Sequence, residues 1–168
     1  AAFAAVNRID DFAYMPQQNI AHAMTALMAQ NKGAKKTDRI KAAFRCGMKI
    51  EIFYGIFIFF VCFFFAHPLM QLFSNDPVVC KHGVTYLKLI SLMYLFPAVT
   101  NGVQGYFRGI GDLKVTLISS FVNMSVRVVF AAVLVFHFSL QIEALPFSYL
   151  AGWIGMLVAE VPLLLRKL

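Results

Sequence analysis

Apolar residues run along this chain in five blocks, at roughly 1–30, 42–66, 84–107, 115–136 and 146–165. Each is long enough for a hydrocarbon core that takes about 20 residues to cross. The blocks predict five membrane helices packed as an all-α polytopic bundle. Polar side chains interrupt them in order. In the third block Pro97, Asn101, Gln104 and Arg108 stand four, three and four residues apart, and in the fourth Thr116, Ser120, Asn123 and Arg127 repeat that spacing. On a helix of about 3.6 residues per turn each set forms one narrow stripe. Such a helix can offer lipid its apolar side and a wet interior its stripe, so both stripes are expected to point inward. Pro97 supports this, because it lacks an N–H and clashes with the carbonyl of Met93, leaving an acceptor that needs protein or water beside it.

The first block is unusually polar for a span, but its polarity is ordered. Asn7, Asp11, Tyr14, Gln18, His22 and Thr25 share one face, flanked by Asp10 and Gln17. Pro16 is expected to kink this helix and release the carbonyl of Phe12. Intramembrane acids that face a cavity can bind and release cations, which makes Asp10 and Asp11 cation-coupling candidates. The plainer role open to them is at the outer interface, with Arg8 as a local partner. Tyr14, Gln18 and His22, with Asn101, Gln104, Asn123 and Arg127, are the candidates for lining a cavity or meeting a substrate.

The second block, with its phenylalanine-rich residues 56–65, is apolar on every face and is expected to face lipid. Lys49 and Glu51 on its shoulder read as interfacial anchors whose long side chains reach the headgroups. Arg127 stands near mid-membrane, a costly position unless it meets water, carbonyls or an acid. A structural hydrogen bond and a role in substrate or conformational coupling are both open to it. The last block carries Tyr149, Trp153, Met156 and Glu160 on one side. The helical rise leaves Glu160 about 10 Å from Arg127 along the membrane normal, too far for a direct pair. Pro162 is expected to adjust the helix exit.

Composition agrees with this reading. Hydrophobic residues make up 60% of the chain and charged ones 14%, against roughly 45–50% and about 25% in soluble domains. The net charge of +7 is no nucleic-acid footprint, since the basic residues lie between apolar blocks without interleaved stacking aromatics. They crowd residues 31–41, Arg108 to Lys114 and the Arg166-Lys167 end, whereas residues 67–82 hold only Lys81 and residues 137–145 none. Alternate breaks are therefore basic, the positive-inside pattern, which places Ala1 outside and Leu168 in the cytoplasm of a multi-pass cell-membrane protein. The outer break, residues 67–77, reads as a short interfacial turn or helix bounded by prolines.

Chemistry-bearing motifs are missing. Cys46, Cys62 and Cys80 lack metal or disulfide-framework spacing, and nothing fixes His67, Cys80 and His82 in a metal geometry. Lys32-Gly33-Ala34-Lys35-Lys36-Thr37 lacks the first glycine of a phosphate-binding loop, and Gly109-Ile110-Gly111 follows a membrane helix and so reads as a turn. No nucleophile and base pair is identifiable. The expectation is a non-enzyme with no catalytic residue, no metal and no organic cofactor. Ala1 stands inside a helical pattern with no signal peptide before it, so the chain reads as truncated, its membrane targeting carried by the spans or an upstream part.

Three stretches carry a family resemblance. Gln104-Gly105-Tyr106-Phe107-Arg108-Gly109-Ile110-Gly111-Asp112, the Arg127-Val128 of the following helix, and Ala29-Gln30-Asn31-Lys32-Gly33-Ala34 together resemble the carboxy-terminal lobe of multidrug and toxic compound extrusion transporters. Asn7 to Asp10 and Met15-Pro16 resemble the second helix of that lobe. The resemblance implies a twelve-helix protein of two six-helix lobes, of which this chain carries the last five helices. It also implies exchange of inward sodium or protons for outward organic cations by alternating access of a central cavity. Some members carry an acid where Pro97 stands, and others a glutamate where Asn123 stands. Neither is present here, which leaves Asp10, Asp11 or the missing amino-terminal lobe to seat the coupling ion. The implied partners are the lipid bilayer, small organic cations and that lobe, without nucleic acid. Two other readings stand beside it: a lipid-linked precursor flippase of the same superfamily, and a non-transporting membrane scaffold.

Overall fold

The computed structural model describes residues 2–138 and 144–167. Among them the elements are α1 (Ala2–Gly33), α2 (Thr37–Phe64), α3 (Ala66–Gln71), α4 (Pro77–Ser91), α5 (Leu95–Gly109), α6 (Leu113–Phe138) and α7 (Ala144–Leu165). Among the described residues three stretches, Thr37–Phe64, Leu113–Phe136 and Leu145–Leu165, are long and apolar enough to cross a membrane, and α4 and α5 together are so as well, across a bend of 47°. At 32 residues α1 is long enough too, but Gln17, Gln18, Asn19 and His22 near its middle lower its hydropathy below that of the others. Of the break expected at 137–145, residues 139–143 lie outside the described ones.

Helices run deeper into the charged breaks than the apolar blocks suggest. Only residues 34–36 separate α1 from α2, and Lys35 takes a φ of 57° to make the reversal. The outer break folds as the short α3, and α4 begins at Pro77 because the Asp76 carboxylate accepts the Val78 N–H at 2.8 Å and proline needs no partner at that first position.

The third block is not one straight helix. The α-helical hydrogen bonding gives way to three-residue turns at residues 92–94, just before Pro97. Pro97 cannot donate to Met93, and the Phe96 N–H closes on the Met93 carbonyl at 3.0 Å instead, a tighter turn than the α-helix makes. Pro16, by contrast, sits inside an unbroken α1, where the neighbouring Ala13 carbonyl accepts the Tyr54 hydroxyl at 3.2 Å.

The second block departs further from expectation. One face of α2 is exposed, with Phe53, Phe57, Phe60 and Phe64 outward, but the other is buried through Ile40, Ala43, Phe44, Gly47, Glu51, Gly55 and Cys62. Gly47 and Gly55 permit this: a Cβ at Gly47 would lie 2.4 Å from the Met24 sulfur, and one at Gly55 3.0 Å from the Ala98 methyl. Glu51 is therefore not an interfacial anchor, because at 0% exposure its side chain lies between helices.

Two separate apolar cores result. One joins Val6, Ile9 and Ala13 of α1 to Cys62, Leu87, Ile90 and Tyr94. The other joins Met24 and Met28 of α1 to Ile40, Phe44, Val103, Phe107 and Leu164. Between them, at intermediate positions on α1, α2 and α5, lie the buried polar residues Gln17, Glu51 and Asn101. The α6 and α7 helices pack chiefly on each other, with Gly152 against the Arg127 stem and Gly155 against Val126, and they meet the rest mainly through α5.

Candidate functional site: a polar cavity between two sub-bundles

Where the α6–α7 pair stands away from α1 and α5, a cavity of about 520 Å³ opens. Its wall includes Tyr14 of α1, Thr100, Asn101 and Gln104 of α5, Ser120, Asn123 and Arg127 of α6, and Ser148, Trp153 and Met156 of α7. The two polar stripes read from spacing thus meet in part across one space, through Asn101, Gln104, Ser120, Asn123 and Arg127, whereas Pro97, Arg108 and Thr116 are not among its described lining residues. Helical periodicity explains it: Asn101 and Gln104 share a face of α5, and Ser120, Asn123 and Arg127 share a face of α6, with the apolar Met124, Val128 and Ala131 beside them on the wall.

The polar groups are held rather than loose. The Tyr14 hydroxyl donates to Asn101 Oδ1 at 3.3 Å, and Gln104 Nε2 donates to the Ser120 hydroxyl at 3.4 Å. The Met156 sulfur accepts from Asn123 Nδ2 at 3.5 Å and faces Gln104 Nε2 at 3.9 Å. Arg127 lays its guanidinium over the Tyr149 ring, 3.9 Å from the centroid. This cation–π contact answers how the arginine is accommodated without an acid. Glu160 is fully buried elsewhere, beside Ser119, Gln104 and Arg108, so it and Arg127 do not pair.

Of the sequence candidates, Tyr14, Asn101, Gln104, Asn123 and Arg127 line this cavity. Asp10, Asp11, Gln18 and His22 do not. Asp10 is half-buried and faces Tyr94 and Cys62, whereas Asp11, Gln18 and His22 are exposed on α1. Ser148 escaped the spacing argument because it stands alone on α7, and its hydroxyl is turned back to the Leu145 carbonyl at 2.7 Å. Gln17, a flanking residue by periodicity, is fully buried and donates Nε2 to the Tyr94 carbonyl at 3.4 Å, bridging α1 to the bend before α5.

The basic breaks meet at one end of the molecule. Lys32 donates to the Ile110 carbonyl, Lys167 pairs with the Asp112 carboxylate, and the Tyr106 hydroxyl approaches the Lys167 carbonyl at 3.4 Å. Gly111, at φ 76°, makes the turn between α5 and α6. Among the described residues no three metal-ligating side chains come together, and Cys80, near His67 in a separate surface depression, turns its thiol to the Ser74 carbonyl at 3.0 Å.

The described helices thus form an apolar bundle whose polar faces converge on one cavity. The chain belongs to the MatE family, whose model matches residues 1–133. It is 25% identical over 150 residues to a probable multidrug resistance protein NorM of Thermotoga maritima, covering 89% of this chain and 31% of that protein. A protein named FAD transporter, from Shewanella oneidensis, is 26% identical over 121 residues, 70% of this chain and 27% of its own length. Among solved structures, a MATE protein crystallised in a bent conformation matches with a TM-score of 0.88 at 18% identity, over 99% of this chain and 37% of that one. A transporter from Pyrococcus furiosus, described as having a binding pocket of reversed polarity, matches with a TM-score of 0.88 at 19% identity, over 99% of this chain and 38% of that one. The chain thus spans about a third of the length of the relatives it matches.

Proposed function

We propose that this chain forms part of the substrate path of a secondary active efflux transporter, which exchanges sodium or protons for organic cations by alternating access. The observation that carries the reading is the convergence of polar α1, α5, α6 and α7 faces on one cavity in a chain of this family. In this reading α1 is a fifth span, the basic end lies in the cytoplasm with Leu168, and the remainder of the parent protein supplies a second lobe. Met156, Met124 and Trp153 offer adaptable apolar contact to lipophilic substrates, and Asn101, Gln104 and Asn123 orient them. Asp10 and Asp11, on the outward half of α1, are the coupling candidates, and the exposed Gln18 and His22 extend the polar face of α1 towards the second lobe. The test is ethidium efflux by the full-length parent carrying Asp10→Asn or Asp11→Asn. Loss of gradient dependence in one of them supports the assignment; unchanged gradient-driven efflux in both removes these acids from coupling.

One observation favours a second substrate class. Arg127 is the only charged residue among the described lining residues, so this wall of the cavity is positive. An anionic aromatic substrate, of the kind named for the Shewanella relative, fits it better than a cation does. Competition of ethidium efflux by a flavin nucleotide separates the two, with competition lost in Arg127→Gln if the anion binds there.

A further inference from the structure

Glu51 is the least explained residue in the bundle. It is 0% exposed, and neither carboxylate oxygen has a hydrogen-bond partner. It does not line the cavity; it lies behind the cavity wall, in the polar belt between the two apolar cores. Its stem packs at Gly102, where a Cβ would lie 3.7 Å from Glu51 Cγ and 2.2 Å from the Met48 sulfur. The same belt holds other buried polar atoms without partners, Gln17 Oε1 and Asn101 Nδ2. Asn101 is 8% exposed, and its Oδ1 already accepts from Tyr14. Its amide nitrogen is therefore a donor with no acceptor, on the helix that packs against a carboxyl with no donor.

The titratable and charged groups around Glu51 are few. From α1, Tyr14 lies within its electrostatic reach, with Asp10 and Arg108 acting on that same tyrosine from farther along α1 and α5. The part of α5 that meets Glu51 presents Asn101 and Gly102, neither of which titrates. One turn along α2, Gly55 meets Gln17 Nε2, the Tyr94 carbonyl and Ala98. Among the described residues no cation of these elements is paired with the carboxylate. An ionised carboxylate buried without a countercharge or hydrogen bonds costs several kcal/mol even after the protein relaxes. Something must neutralise it. A hard divalent cation needs about six or more oxygen ligands set around it, and neither carboxylate oxygen of Glu51 has a polar partner beside it among the described residues. A proton needs one oxygen.

We propose that Glu51 is a proton-binding site behind the cavity wall, and that the Tyr14–Asn101 pair, which touches both belt and cavity, links its protonation to cavity occupancy. The link deepens the transporter reading and rests on it; the proton site itself does not. Proton release leaves the carboxylate to accept from Asn101 Nδ2, and the proton passes to water in the cavity. Because Asn101 is also held by Tyr14, this pulls on a pair that forms part of the substrate wall.

The experiment is infrared spectroscopy of the full-length parent, purified and returned to lipid, without any transport assay. The expected result is a carboxylic-acid carbonyl band at neutral pH in sodium-free buffer that is absent in Glu51→Gln and moves in frequency in Glu51→Asp, and that persists when sodium is added. Glutamine copies the neutral acid in shape and charge, so that variant is expected to fold, and the aspartate variant reports on the band should it not. A spectrum identical in wild type and both variants overturns the proposal, as does a band that sodium abolishes, which would make the site a sodium site. The linkage is read separately, as the pH dependence of ethidium binding. A shift of about fivefold or more in apparent Kd across neutral pH is expected in wild type, lost in both Glu51→Gln and Tyr14→Phe. A Glu51 band with pH-independent binding overturns the linkage while leaving the proton site standing, and binding of no ethidium at all overturns the cation-efflux reading instead.

Discussion

Tyr14 and Asn101, 87 residues apart in the chain, share a hydrogen bond of 3.3 Å at the cavity wall, with the tyrosine hydroxyl donating to the asparagine carbonyl oxygen. The bond ties the most polar helix to the helix after the bend. A neutral bond of this kind contributes about 0.5–1.5 kcal/mol. Tyr14→Phe and Asn101→Ala are each expected to lower the thermal midpoint of the purified parent protein modestly. The double variant is expected to fall no further than the worse single one. Full additivity would show that the two residues act independently.

Close approach of α1 and α5 rests on Gly105. A Cβ there would sit 2.9 Å from the Ala21 carbonyl oxygen, which is backbone and cannot swing aside. Gly105→Val is expected to destabilise by about 1–3 kcal/mol, the usual cost of overpacking. Gly33→Ala, at a position with nothing within 4 Å, serves as the control and is expected to be near neutral. Equal thermal shifts for the two would refute the close-packing account.

Wetness of the cavity can be read chemically. In a background without Cys46, Cys62 and Cys80, Asn123→Cys is expected to react with a membrane-impermeant thiol reagent. Phe121→Cys, two residues away on the 74% exposed outer side of α6, is expected to stay inert in the bilayer. Reaction of both, or of neither, contradicts the assignment of faces.

The Arg127–Tyr149 contact makes a selective prediction, because it depends on the ring and not on the hydroxyl. Tyr149→Phe is expected to retain stability, while Tyr149→Leu loses about 0.5–2 kcal/mol. Equal losses in both would shift the role to the phenolic oxygen.

Acid should loosen the basic end of the bundle. The Lys167 ammonium holds the Asp112 carboxyl below its ordinary value of 3.8. The pair therefore stabilises the fold above that value, and its contribution is lost as pH falls through the lower folded value. Asp112→Asn is expected to melt below wild type at pH 7, with the gap closing in acid and in high salt. A gap that widens as pH falls below the ordinary carboxyl value of 3.8, or that high salt leaves unchanged, would contradict the pairing.

Periodicity made the cavity legible because Asn101, Gln104, Asn123 and Arg127 are polar positions in otherwise apolar helices, where a 3.6-residue repeat stands out. The same contrast misled at Glu51. With Lys49 nearby it has the local pattern of an interfacial anchor, and its burial depends on Gly47, Gly55 and Gly102 letting other helices close over it, which no local window contains. The bend was half visible. Pro97 marks it, but the chain breaks at residues 92–94 because proline acts on the carbonyl four residues before it. Polarity alone could not separate Asp10 from Asp11 either, since half-burial against Tyr94 and Cys62 is a property of how α1 packs on α2 and on the bend before α5.

The outward side of α6 has a consequence for the surrounding lipid. The helix runs over Leu113–Phe138, 26 residues, about 39 Å at roughly 1.5 Å per residue, whereas a typical hydrocarbon core measures about 30 Å. Upright, that helix would push greasy side chains into the headgroups. It must lean, or draw thicker bilayer around it, and the protein should be more stable in long-chain than in short-chain phospholipid.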